Sequence, residues 1–256
     1  MTMRGAAVDD LLAYIFDRRP HALRPMMMEW IISSRRFAQF ADTYRDKIRK
    51  KLRGAHAWEA VRDVQAELET AYRLLEVRRF EVAYEKYGVG KARCPDLTVT
   101  FRSHVVFNVE VTRMRAAPAT PSATTSTVQQ DLEPASAEAD RLAGRLSEVV
   151  CAKLGQMPPG MMNLLWVVTD GAIADKLDVA GAMKDLKTRA EGKDATLYAR
   201  HGFRDTSDFF KRYLQLSGIV LLATGGSLAP PATLWFNSQA RHPIPPTIRA
   251  LLVRQA

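Results

Sequence analysis

Pro95-Asp96-Leu97-Thr98-Val99-Thr100-Phe101, then Arg102-Ser103-His104, then Val105-Val106-Phe107-Asn108-Val109-Glu110-Val111-Thr112 is the stretch that decides how this chain folds. Leu97, Val99 and Phe101 alternate with Thr98 and Thr100, and Phe107, Val109 and Val111 alternate with Asn108, Glu110 and Thr112, so both runs read as strands with one apolar and one polar face. A turn at Arg102-Ser103-His104 pairs Phe101 with Val105, Val99 with Phe107 and Leu97 with Val109. A one-residue slip would set apolar residues against polar ones throughout. The same register sets Asp96 opposite Glu110. Two carboxylates about 5 Å apart across a strand pair repel one another unless a cation or a proton lies between them or they splay into water.

Upstream, the spacing predicts a helix from about Trp58 to Val77 with Val64, Leu68, Ala71, Leu74 and Leu75 on one stripe, followed by a strand at Phe80–Tyr84. Glu67 falls within that stripe, whereas Glu69 lies with Arg62, Gln65 and Arg73. A carboxylate aimed at a core needs a partner, so Glu67 either joins the acid pair as a third member or bends out to water. Before this helix, Leu11, Leu12 and Ile15, then Met28, Trp30 and Ile31, then Phe37, Phe40 and Tyr44 follow helical spacing and predict an all-helical N-terminal section. Its stretch Arg45 to Arg53 carries six basic residues and one acid. Lys47, Arg49, Lys50, Lys51 and Arg53 form either a solvated helix end or a patch facing phosphates.

Downstream, residues 116–138 include Ala-Pro-Ala-Thr-Pro-Ser-Ala-Thr-Thr-Ser-Thr and read as a flexible surface loop. A long helix from about Ala139 to Leu154 comes next, and the continuous apolar run Asn163–Val168 predicts a strand buried on both faces. Helices are expected at Ala180–Arg189 and Thr206–Leu216, a second buried strand at Ile219–Ala223 and an edge strand at Thr233–Phe236 ahead of a Pro-rich tail. The order describes an α/β or α+β domain around a mixed sheet. It divides into a helical section 1–57, a core 58–170 and a mixed extension 171–256 packed on it.

The bulk figures suit such a domain. The 256 residues are 47% hydrophobic and 25% charged, as in an ordinary globular protein. A formal charge of +9 favours a polyanionic partner. There is no signal peptide pattern and no apolar run of membrane-spanning length, so a cytoplasmic location and no membrane partner are expected. Cys94 and Cys151 lack CxxC neighbours and the five histidines lack ligand spacing, which leaves no zinc motif. No GxxxxGK[ST], GxGxxG or Gly-x-Ser-x-Gly pattern occurs.

Glu67 on a helix, then Pro95-Asp96, then Glu110-Val111-Thr112 resembles the PD-(D/E)xK nuclease superfamily in order and spacing, over about Trp58 to Val168. The resemblance implies a restriction-endonuclease-like core of helix, three-stranded meander, helix and strand. It implies Mg²⁺, with Mn²⁺ as a substitute, held by Asp96, Glu110 and the Val111 carbonyl, with Glu67 at a second metal or a metal-bound water. Thr112 stands where that superfamily has its lysine, and its hydroxyl supplies a hydrogen bond but no charge. Arg113 is sent to the opposite face by strand alternation. Lys153, on the long helix, is the expected substitute, since members sometimes supply the lysine from there; Gln156 would contact metal-bound water or phosphate, and both are otherwise surface residues. The implied activity is metal-dependent phosphodiester hydrolysis on DNA, with the basic helices gripping the backbone and a homodimer compatible with the reading. The alternative is a catalytically impaired nuclease-like scaffold that binds nucleic acid or a protein.

Overall fold

A computed structural model describes residues 5–86, 94–115, 135–224 and 233–253. The first part is helical: α1 (Gly5–Ile15), α2 (Arg24–Ser33), α3 (Arg35–Thr43), α4 (Arg45–Gly54) and α5 (Trp58–Glu76). The meander follows as β1 (Phe80–Tyr84), β2 (Leu97–Phe101) and β3 (Val105–Arg113), then α6 (Ala135–Leu154) and β4 (Met162–Asp170). Next come α7 (Gly171–Ala174), α8 (Val179–Glu191), α9 (Ala195–His201), α10 (Thr206–Tyr213), β5 (Leu216–Thr224), β6 (Thr233–Phe236) and α11 (Pro246–Val253). No helix of the described residues is long and apolar enough to cross a membrane.

The strands form one mixed sheet in the order β1-β2-β3-β4-β5-β6. β1, β2 and β3 run antiparallel, β3, β4 and β5 run parallel, and β6 closes the far edge antiparallel to β5. The register of β2 against β3 is the one that the apolar alternation demands: Leu97 faces Val109, Val99 faces Phe107 and Phe101 faces Val105.

Helices cover both faces, and each face has its own core. On one side α1 to α5 and α11 pack against Leu97, Val99, Phe107, Val109, Leu164, Trp166, Val220 and Leu222. On the other, α6, α8, α9 and α10 pack against Leu165, Val167, Ile219 and Leu221. The continuous apolar runs of β4 and β5 thus serve two cores at once, as strands buried on both faces must. The N-terminal helices have no core of their own; Phe37, Phe40 and Leu52 belong to the same cluster as the sheet.

The polar face of β2 and β3 lies on the same side of the sheet as α6, whose Lys153 reaches Glu110. Thr98, Asn108, Asn163 and Ser217 are buried there. They satisfy one another across the strands: Thr98 Oγ1 donates to Asn108 Oδ1 at 3.4 Å, Asn108 Nδ2 to Asn163 Oδ1 at 3.2 Å and the Asn163 amide to Ser217 Oγ at 2.9 Å.

Several boundaries differ from the sequence reading. The long helix starts at Ala135, so residues 135–138 of the expected loop are helical; the rest of that loop lies outside the described residues. The helix expected to run to Leu216 ends at Tyr213, because Leu216 already opens β5. The Pro-rich tail contains α11, where Pro246 takes the first helical position, at which a missing amide costs nothing. α9 was not anticipated either. It is started by Asp194, whose carboxylate accepts from the Thr196 and Leu197 amides, and stopped by Gly202 at φ +65°.

Candidate functional site

The site lies where β2 starts late. β3 continues from Val109 to Arg113 alongside β4, but β2 pairs with it only as far as Leu97, so the β2 side of residues 110–113 is an open edge. The next rung would bring Pro95 to Val111, and proline has no amide to offer. Asp96 takes up the slack: its Oδ2 accepts the Val111 amide at 2.8 Å. Amide and carbonyl of one strand residue face the same neighbour, so the Val111 carbonyl also lies on this open edge.

A cavity of about 260 Å³ fills the gap, lined by Asp63, Ala66, Glu67, Asp96, Val111, Thr112, Arg113, Arg115 and Lys153. It reaches from α5 in one helical layer to α6 in the other. Glu67 enters from α5, where it sits between the buried residues Ala66 and Leu68. Lys153 enters from the last turn of α6, and its ammonium donates to Glu110 Oε1 at 2.7 Å and to Gln156 Oε1 at 3.4 Å. Thr112 lines the cavity from β3.

Glu67 Oε2 accepts from Lys51 Nζ at 2.6 Å and from the Tyr84 hydroxyl at 2.5 Å. Lys51 also pairs with Glu85 at 2.9 Å and lies 4.0 Å from Asp96 Oδ1. Four carboxyl groups, of Glu67, Glu85, Asp96 and Glu110, therefore face two ammonium groups, those of Lys51 and Lys153, an excess of two negative charges when all four acids are ionised. The other charges of the cavity cancel locally, since Arg113 and Arg115 pair with Glu59 and Asp63. Arg113 is turned to α5, as alternation requires.

The acids register the excess charge. Burial, then the charge of Asp96, pushes Glu67 up to about 7, against the pull of Lys51. Burial likewise raises Asp96, although the Val111 amide and both lysines oppose the shift. Glu110 is raised by burial and by Asp96, partly offset by Lys153 and by a backbone hydrogen bond from Asp96. Each carboxyl is held toward its neutral form by lack of water and by its neighbours' charge, the condition that a bound cation relieves.

The donors suit a hard divalent ion: carboxylate oxygens and a backbone carbonyl at an edge with uncompensated negative charge. As they stand, no three Asp, Glu, His or Cys side chains among the described residues are arranged as a metal cage. Glu67 is turned to Lys51 and Glu110 to Lys153, which keeps the carboxylates from converging.

The basic run of α4 does several different jobs. Lys47 donates to the carbonyls of Tyr84 and Glu85, both at 2.9 Å. Arg49 and Arg53 bind Asp17, Lys50 is exposed, and Lys51 joins the acids. Sequence reasoning missed Lys51, Tyr84 and Glu85 as members of the site. For Glu85 a signal existed: extending the β1–β2 register one step beyond Tyr84 and Leu97 sets Glu85 opposite Asp96, and its amide does bond the Asp96 carbonyl at 3.0 Å. For Lys51 there was none, because nothing local distinguishes it from the five other basic residues of the run.

No family model, curated protein or solved structure matches the chain.

Proposed function

We propose that this protein is a metal-dependent nuclease of PD-(D/E)xK type with a restriction-endonuclease-like core, hydrolysing phosphodiester bonds of DNA. The observation that carries the reading is the open strand edge at which Asp96, Glu110 and Glu67 meet, where together with Glu85 four carboxyl groups face two ammonium groups. The element order α5, β1, β2, β3, α6, β4 supports it.

In this reading Asp96, Glu110 and the Val111 carbonyl hold Mg²⁺ or Mn²⁺, with Glu67 near enough to hold a metal-bound water. The ion supplies a water of lowered pKa and a counter-charge for the phosphate. The chain's own residues do the rest. Lys153, 2.7 Å from Glu110, brings the positive charge that Thr112 cannot, from the opposite layer and on the same strand face. Thr112 keeps a hydroxyl at the cavity wall to orient a water, and Gln156 steadies the Lys153 ammonium. The +9 charge favours a polyanion in general.

The test is cleavage of plasmid and single-stranded DNA with Mg²⁺ or Mn²⁺, compared with Asp96→Ala and Glu110→Ala. Wild type is expected to cut and each variant to lose about a hundredfold or more. One observation favours a second reading, a nuclease-like scaffold that binds without cutting: every acid of the site already has an ammonium or amide partner. Equal inertness of all three proteins, with retained DNA binding, would establish that reading instead.

A further inference from the structure

Lys51 is anchored more heavily than a phosphate-gripping surface lysine needs to be. Its stem leaves α4, yet its ammonium is 2.6 Å from Glu67, 2.9 Å from Glu85 and 4.0 Å from Asp96, and lies 4.9 Å from the centre of the Tyr84 ring. Only about a quarter of the side chain is exposed. Burial works against its charge, but Glu67, Glu85 and Asp96 together outweigh that effect, so the group stays an ammonium. It thus places a full positive charge beside the carboxylate oxygens that a divalent ion would use.

We infer that Lys51 is the site's resident cation, against which a divalent ion must compete, so that the helical N-terminal section sets the ion affinity of a centre built on the sheet. The inference rests on the metal reading above and adds a positioning residue to it. The reason is electrostatic. An ammonium in contact with Glu67 and near Asp96 neutralises part of the field that attracts the ion, and it repels the ion itself at short range in a partly dehydrated cavity. Lys153 does the corresponding work at Glu110, but it comes from the layer that the sequence already pointed to. Lys51 comes from the opposite layer and from an element outside the β2–β3 hairpin.

The test is Mn²⁺ binding by calorimetry at low ionic strength, on wild type, Lys51→Met, Lys51→Arg, Glu67→Gln and the double variant Lys51→Met with Glu67→Gln. Without its resident cation, Lys51→Met is expected to bind Mn²⁺ about tenfold or more tightly than wild type. Lys51→Arg, which keeps the charge, should stay within about threefold of wild type. If Lys51→Met alone does not fold, Glu67→Gln compared with the double variant measures the same removal with one acid fewer, and the same tightening is expected. A merely structural lysine would give the opposite sign, because disordering Glu67 and Glu85 weakens binding. Unchanged or weaker binding on losing Lys51, while wild type binds Mn²⁺, overturns the role given to Lys51 and leaves the metal reading standing. If neither wild type nor any variant binds Mn²⁺, the metal reading fails and this inference with it.

Discussion

At Glu67 a carboxyl on the buried stripe of α5 accepts from Lys51 and Tyr84 and still titrates at about 7, because it has lost its water and shares the cavity with Asp96. The sign of the consequence follows from linkage. The folded-state pKa lies above the ordinary carboxyl value of 4.5, so between about 4.5 and about 7 the folded protein holds a proton that the unfolded chain has released. Stability therefore falls as pH rises through that window and levels off above it. Urea unfolding from pH 4.5 to 8 should show a fall in wild type that is smaller in Glu67→Gln, which carries no titrating group there; parallel profiles would refute the assignment. Protons also compete with a metal for the same oxygens, so Mn²⁺ affinity is expected to climb as pH rises toward and past 7. The lysine question belongs to this scale as well. Lys153→Met is expected to cut the turnover of DNA cleavage about a hundredfold, the usual cost of removing a group that stabilises developing charge, whereas Thr112→Val should cost about tenfold or less. A larger loss from Thr112 would mean that the hydroxyl, not the ammonium, is the principal group. That Asp96 lies beside the strand segment of Glu110 was legible in the sequence, because strand alternation and one turn fix the register of β2 against β3. Lys51 was not, because a charge run has no periodicity that says which of its members turns inward.

The hairpin that creates this register turns through Arg102 and Ser103, both with positive φ, 49° and 63°. Neither is glycine, and the left-handed region is unfavourable for side chains bearing a Cβ. Ser103→Gly should therefore stabilise the protein by about 0.5 kcal/mol, the relief of steric cost being partly cancelled by the entropy glycine loses on folding. Thermal unfolding of the variant checks it, and a lower melting temperature would show that Ser103 contributes something the backbone angle does not reveal. The hairpin lies at the end of β2 and β3 remote from Asp96 and Glu110, so metal-dependent properties should not change. At this scale the sequence was read well wherever period 2 or a stripe of period 3.6 persisted: β1, β2 and β6 have the bounds expected of them. It was read poorly where start and stop signals decide. α9 has only seven residues, too few for a stripe to show, and depends on the Asp194 cap and Gly202. α11 was hidden by Pro245 and Pro246, which announce a tail as readily as the first turn of a helix.

Across the whole molecule, the boundary that the sequence suggests near residue 57 does not correspond to a boundary in packing. The sequence suggested a helical section followed by a core with strands, because the apolar spacing changes from helical to alternating. The side chains ignore that change: Phe37 is fully buried, with its ring 5.6 Å from those of Trp30 and Tyr72, and it belongs to the cluster that contains Phe80, Val99 and Trp166 of the sheet. Arg36 ties the same helix to the start of the meander by donating to the carbonyls of Leu75, Val77 and Phe80. Helices α1 to α4 therefore share one core with α5 and the sheet and have none of their own. Phe37→Ala should cost about 3 to 5 kcal/mol, the range for deleting a buried aromatic side chain. Since Phe37 belongs to the one cluster that joins these helices to the sheet, far-ultraviolet circular dichroism and tryptophan fluorescence, which includes Trp30 on α2 and Trp166 on β4, are expected to report one transition moved to lower temperature by the same amount. If instead the helical signal melts first while the fluorescence of Trp166 persists, the N-terminal section is a separable unit. In that case the geometry joining Lys51 to Glu67 and Asp96 would depend on a docking equilibrium, and ion affinity would fall or rise with the state of that section instead of being fixed by the fold.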